Sequence, residues 1–177
     1  GECLQPMRYR RMKVEGASYF FTVVTGERRP LFREAEMVAL LDAAIDRVRT
    51  RHPFEVVAQV VLPDHLHAIW QLPEGDADYS KRWRLIKEAF TKACAKRFGR
   101  IDAGETRAAR GELGLWQKRF WEHLIRDERD FAAHLDYIHL NPVHHGYIAA
   151  PRDWPHSTFK TWVQRGTYEE NWGSGEM

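Results

Sequence analysis

Residues 54–72 constrain the fold more than any other stretch. Two apolar runs, 54–62 and 65–72, are separated only by Pro63-Asp64. So short a turn favours two antiparallel strands in a hairpin. Along the second strand the side chains alternate faces, so His65 and His67 point one way while Leu66, Ala68 and Trp70 point the other. The apolar set can pack into a core, which leaves the histidine face for ligands or solvent. A His-x-His strand holds two imidazoles rigidly and is a good divalent-metal chelate. Two half-buried histidines hydrogen-bonded to backbone fit the same residues equally well.

The segments on either side complete a pattern. Residues 17–25, aromatic and β-branched and closed by Gly26, predict the first strand. Met37, Leu40, Leu41, Ala44, Ile45 and Val48 recur at helical spacing over 34–52, before Pro53. Trp83, Ile86, Phe90 and Cys94 predict a second helix over 80–98, ended by Gly99. Its other faces carry Lys81, Arg84, Lys87, Lys92 and Lys96 against the single acid Glu88, a one-signed composition that suits phosphate contacts better than a merely solvated face. Arg8, Arg10 and Arg11 add a basic arm ahead of the first strand.

Residues 99–114, with four glycines and no periodicity, predict a long loop. A strand follows over 115–125, where Trp116, Lys118 and Arg119 could combine base stacking with phosphate contacts, or the tryptophans could simply pack. Asp127 is a plausible N-cap for a third helix to Leu140, with Phe131, Leu135 and Ile138 as its buried stripe. His134, Tyr137 and Asn141 fall together on another side of that helix. Asn141-Pro142 then ends it or starts a new turn, with Asn141 as a cap and Pro142 at the first helical position. Residues 151–162 read as a segment packed on the body, and 163–177 and 1–7 as flexible tails around one domain over 8–162.

With 177 residues, 44% of them hydrophobic, the chain can bury one sizeable core. The balance of 27 Lys and Arg against 25 Asp and Glu is too even to imply nucleic acid without the clustering on the second helix. Cys3 and Cys94 provide neither a disulfide framework nor a CxxC metal motif. No apolar run reaches the ~20 residues of a membrane span, and no charged-then-apolar leader precedes the first strand, so the expected location is cytoplasmic with no membrane partner.

The order β-α-β-β-α-β predicts an α+β fold, a ferredoxin-like two-layer sandwich with an antiparallel sheet and an added C-terminal helix carrying Tyr137. His65-Leu66-His67 together with Tyr137-Ile138-His139-Leu140-Asn141-Pro142-Val143 resembles the HUH-type single-tyrosine transposases. Pro63-Asp64-His65, the block from Trp116 to His123, the Tyr-x-x-x-Asn-Pro-Val motif and Asp153-Trp154 look like the subgroup associated with repetitive extragenic palindromes (REP). The resemblance runs from Arg8 to Trp162; Trp154-Pro155-His156-Ser157-Thr158 departs mildly from the family's Trp-x-x-Ser-Ser tail. It implies His65, His67 and Asn141 as ligands of Mg²⁺ or Mn²⁺, Tyr137 as nucleophile, and nicking and strand transfer of single-stranded DNA hairpins through a 5′-phosphotyrosine, by a monomer or homodimer.

The chemistry is sound on its own terms. A phenol of reference pKa ~10 is only about 0.1% ionised at neutral pH, so attack on a phosphodiester needs assistance, which a bound cation supplies by drawing charge from the phosphate. Phosphotyrosine conserves the energy of the broken bond, in keeping with the lack of a Walker-type phosphate loop. Three other readings stand beside this one: a replication-initiator or relaxase nickase, a metal-dependent hydrolase that uses water, and a non-catalytic single-stranded nucleic-acid-binding module. The last has no need of a His-x-His pair facing a helical tyrosine.

Overall fold

Alternation of side chains on a shared sheet decides the architecture. A computed structural model of the chain describes residues 13–99 and 114–175. Strands β1 (Ser18–Val24), β2 (Glu55–Leu62), β3 (His65–Gln71) and β4 (Trp121–Leu124) form one antiparallel sheet in the order β2-β3-β1-β4. With helices α1 (Ala35–Arg51) and α2 (Tyr79–Phe98) as the two crossovers, this is the ferredoxin-like order expected from the sequence. Register places Thr22 opposite His67 and Phe20 opposite Ile69 on β3 and His123 on β4.

One sheet face presents Tyr19, Phe21, Val23, Leu66, Ala68 and Trp70 to the buried stripes of α1 and α2. Trp70 and Trp83 stack at its centre, 4.2 Å apart. The opposite face presents Phe20, Ala58, Val60 and Ile69 to Leu135 and Ile138 of a third long helix, α3 (Glu128–His144). The histidine face is therefore covered, contrary to the expectation that it would be left open: His65 and His67 are both buried. The added helix turns two layers into three.

Three further expectations from the sequence need correction. The strand over 115–125 is split: Gln117 N–H donates to Val24 O and Ile125 N–H to Ser18 O, so both ends pair with β1 while 118–120 stand out of the ladder. Phe120 turns back to pack on Phe21, which explains the interruption. The third helix does not end before Pro142 but runs on to His144. Proline deprives the Ile138 carbonyl of its helical donor, yet Asn141 and Pro142 are both buried, and tertiary packing overrides the local bias.

The third correction concerns the C-terminal residues 163–175, which pack instead of fraying. Helix α4 (Phe159–Gln164) leads to Tyr168, which is buried, and Trp172 packs tilted on Tyr168 with ring centroids 4.2 Å apart. Trp154 and Trp162 donate their indole N–H groups to Val61 O and Val57 O, sealing the outer edge of β2. The 1–7 tail and the loop glycines Gly104 and Gly111 lie outside the described residues.

A buried polar network ties this segment down. Tyr168 donates to Asp136 and lies 3.1 Å from His139 Nδ1, while His139 Nε2 lies 2.9 Å from Thr158 Oγ1. Burial pushes the His139 imidazole down to about 4, against an opposing backbone bond from Leu135. The unfolded chain, with a histidine near 6.5, then binds more protons than the folded one between those values. Stability is expected to be intact above about pH 6.5 and to fall toward pH 4, by up to about 1.4 kcal/mol per pH unit from this residue. Urea unfolding across that range should show the slope, and His139→Gln should reduce it by about one proton.

Candidate metal and tyrosine site

The site forms where β3 meets the C-terminal half of α3. His65 and His67 lie two residues apart on β3 with ring centroids 4.8 Å apart. From α3, the Tyr137 ring approaches His67 to 5.2 Å. His145, which caps the same helix two turns on, approaches His65 to 5.3 Å. Asn141 lies one helical turn from each, between the ring that meets His67 and the ring that meets His65. The structure thus brings His65, His67 and Tyr137 together, places Asn141 on the same helix one turn from Tyr137, and adds His145.

Each histidine is held by its Nδ1. Asp64 Oδ1 lies 2.7 Å from His65 Nδ1, and Asp64 Oδ2 lies 3.5 Å from the Arg28 guanidinium. Burial alone would raise the Asp64 carboxyl, but the bond to His65 and the charges of His65 and Arg28 outweigh it and hold it below the usual range. An ionised carboxylate only accepts, so His65 donates through Nδ1, and Nε2 is the nitrogen outside that bond. Arg28 reaches Asp64 from a backbone with φ 51, next to Glu27 with φ 54, a left-handed pair that costs energy in residues other than glycine.

His67 Nδ1 lies 2.7 Å from Thr22 Oγ1, its cross-strand neighbour. Burial first, then the proximity of His65 and His145, depresses the His67 imidazole to about 3, so the ring is neutral at physiological pH. Such outer hydrogen bonds fix the orientation and tautomer of metal-binding histidines.

Asn141 supplies an independent observation. It is 2% exposed, and its Oδ1 is buried without a hydrogen-bond partner among the described residues. A buried amide oxygen left unpaired costs about 1–3 kcal/mol unless something else engages it. Two imidazoles and one unpaired amide oxygen on facing elements fit a divalent cation: His65, His67 and Asn141 are the residues that would hold it. As a check on the orienting role, Thr22→Val is expected to lower metal affinity about 10-fold or more, read by calorimetric titration, with little change in stability.

Tyr137 differs from the chain's buried tyrosines. It is 44% exposed, with its ring edge-on to Phe20 as well as His67. His134, one turn earlier, packs its ring 4.9 Å from Phe20, so Phe20 stands between His134 and the His67–Tyr137 contact.

The expected DNA-contacting residues are not gathered at this centre. Lys81, Arg84, Lys87, Lys92 and Lys96 ride on α2, against the sheet face opposite the histidines. Lys92 and Lys96 line a groove with Arg47 and Arg51 of α1. Lys87 donates to Gln117 O and lies over the Phe120 ring, and Arg84 pairs with Glu88. Trp116 packs on Phe32 and Phe90, so its ring serves the core rather than offering a free stacking face. Lys118 and Arg119 are exposed at the β4 edge. Arg8, Arg10 and Arg11 lie outside the described residues.

Sequence reasoning missed His145, Thr22 and the aromatic ladder that leads away from His145. Tyr147 stacks on His145 at 5.7 Å and on Trp154 at 5.5 Å, both near 24°. The helical spacing Tyr137, Asn141, His145 was a usable signal, hidden by ending the helix at Pro142.

A His-x-His strand beneath a tyrosine-bearing helix, on a ferredoxin-like sheet, is the arrangement implied by the resemblance to the HUH-type single-tyrosine transposases. Comparison with known proteins narrows the class. A REP-associated tyrosine transposase of Escherichia coli K12 is 44% identical over 164 residues, covering 93% of this chain and 89% of that protein. A Haemophilus influenzae protein of the same family is 42% identical, covering 93% and 92%. A solved structure described as a REP-associated tyrosine transposase bound to a REP hairpin superposes with a TM-score of 0.80 at 41% identity, covering 97% of this chain and 95% of that one. The chain belongs to the REP-associated tyrosine transposase family, which makes it an enzyme of the transposase class. No protein-family model matches it, and none of its described helices is long and apolar enough to cross a membrane.

Proposed function

We propose that the protein nicks and rejoins single-stranded DNA beside a REP-type hairpin, using Tyr137 as nucleophile and a divalent ion, Mg²⁺ or Mn²⁺, held by His65, His67 and Asn141. The observation that carries this reading is the contact of Tyr137 with His67 on one side of the unpaired Asn141 oxygen. The relative solved with a REP hairpin supports the choice of substrate.

The tyrosine oxygen forms a bond to phosphorus as the bond from phosphorus to the 3′-oxygen breaks. The products are a 5′-phosphotyrosine and a 3′-hydroxyl that takes up the proton. A cation in the site would draw charge from the phosphate and fix its orientation. This chain's own part is to hold both imidazoles aligned through Asp64 and Thr22, and to present the phenol from a rigid helix.

The DNA path follows from charge and ring placement. Tyr147, 45% exposed, and the rings stacked on it give unpaired bases a platform leading to His65. The Lys92–Lys96 groove, on the helices that cover the other sheet face, offers phosphate contacts to the hairpin. Hairpins carrying a single-stranded flank are expected to be cleaved with added Mg²⁺ or Mn²⁺, and blunt duplexes not; chelator should stop the reaction. Replacing Lys92 and Lys96 with alanine should flatten the salt dependence of binding by about 0.7 per lost contact. Equal cleavage of blunt duplex, or cleavage indifferent to chelator, would reject this reading. A relaxase-type nickase shares the metal and nucleophile, and the family membership favours the transposase.

A further inference from the structure

A second set of ligand-type side chains lies outside the tyrosine site. His123 stands on β4 opposite Phe20, on the same sheet face as His67. Asp130 and His134, one turn apart at the start of α3, face it. His123 Nε2 is 2.8 Å from Asp130 Oδ2, and His134 Nδ1 is 3.2 Å from Asp130 Oδ1. One ligand atom from each residue lies within 4.8 Å of the others. The two imidazoles stack at 4.5 Å and 18°. The side chains are 14%, 20% and 24% exposed for His123, Asp130 and His134, reachable by an ion yet largely screened from water.

The rings stack nearly parallel, so their in-plane lone pairs do not converge as they stand, and holding one ion requires one imidazole to turn out of the stack. His134 Nδ1 is 2.8 Å from the Asp130 carbonyl, which only accepts, so this ring donates there and Nε2 is the nitrogen outside that bond. A ring anchored to backbone through one nitrogen and open at the other is the usual posture of a metal-binding histidine. Burial would raise the Asp130 carboxyl, but the Arg126 N–H and the neighbouring His123 and His134 outweigh it, so the group is a carboxylate with its geometry fixed. A cation would take the place of the hydrogen bond between His123 Nε2 and Asp130.

We infer that His123, Asp130 and His134 form a second divalent-metal site, taking a first-row transition ion of the Zn²⁺ class and clamping β4 to the start of α3. Two imidazoles and a carboxylate suit borderline ions, and the half-open face leaves room for water as a further ligand. Through Phe20, which touches His134, His67 and Tyr137, the clamp would steady the helix that carries the tyrosine. A hydrogen-bonded network with no ion is the competing account.

The test is metal titration of the full chain, freed of metal by chelator, with Zn²⁺ followed by calorimetry and Co²⁺ by visible absorption. Wild type is expected to bind one equivalent more than Asp130→Asn, whatever the His65/His67 pair binds. The His65→Ala/His67→Ala variant should still take one equivalent and gain about 5–10 °C in Tm at a hundredfold excess over Kd. His123→Gln, which retains a hydrogen-bonding amide, should weaken this binding at least 10-fold. Equal stoichiometry in wild type, Asp130→Asn and His123→Gln would overturn the inference and leave the network account. Absence of a bound ion in a folded His65→Ala/His67→Ala variant would do the same.

Discussion

His67→Ala is expected to cleave single-stranded hairpin DNA at least about 10²-fold more slowly than wild type and to lose its response to added metal. Even a residue that only orients a metal ligand is worth about 10–100-fold, and His67 is placed to be a ligand itself. The substitution also carries a cost in stability, because the ring is buried and packs 5.5 Å from Phe20. A loss of about 1–3 kcal/mol is expected, enough to measure by urea unfolding but not enough to unfold a domain of this size. Cleavage assays should therefore be run well below the variant's unfolding midpoint. His65→Ala should behave similarly, with the Asp64 carboxylate losing its partner as well.

Tyr137→Phe should have the opposite balance, with a larger loss of activity and almost none of stability. It removes one oxygen from a ring that is 44% exposed and leaves the ring contacts with His67 and Phe20 in place. Stability should stay within about 0.5 kcal/mol of wild type. Activity should fall at least about 10³-fold, since removing the nucleophile of a covalent enzyme costs up to about 10⁶-fold. DNA affinity should persist, which separates a missing nucleophile from a damaged binding surface.

The outline of this fold was readable because its signals were periodic. Alternation on β1 and β3 and the helical stripes of α1 and α2 each agreed with the sheet that joins them. That His65 and His67 share a strand face and that Tyr137 lies on a helix was readable for the same reason, a period of two on a strand and a stripe on a helix. What escaped were features that depend on the third layer. Pro142 marks a helix end by local rules, and only its burial carries α3 on to His144 and brings His145 to His65. Tyr168 and Trp172 fall in a polar, unpatterned stretch, and it takes the outer sheet face to show why they pack. The histidine face looked open because nothing local says that α3 covers it. Thr22 is an ordinary strand residue until register places it opposite His67. Trp116 could equally have stacked on bases or packed, and Phe32 and Phe90 decide the matter.

The central claim is that Tyr137 becomes covalently joined to DNA. The direct measurement is to incubate wild type with a labelled single-stranded hairpin and Mg²⁺ or Mn²⁺, resolve the products under denaturing conditions, and map the modified peptide by mass spectrometry. The account predicts a protein–DNA adduct whose nucleotide sits on Tyr137 through a 5′-phosphate, with a free 3′-hydroxyl on the other fragment, and no adduct from Tyr137→Phe. Cleavage by wild type with no adduct at any time, or an adduct that persists in Tyr137→Phe, would contradict it; the first outcome would point to a metal-dependent hydrolase using water.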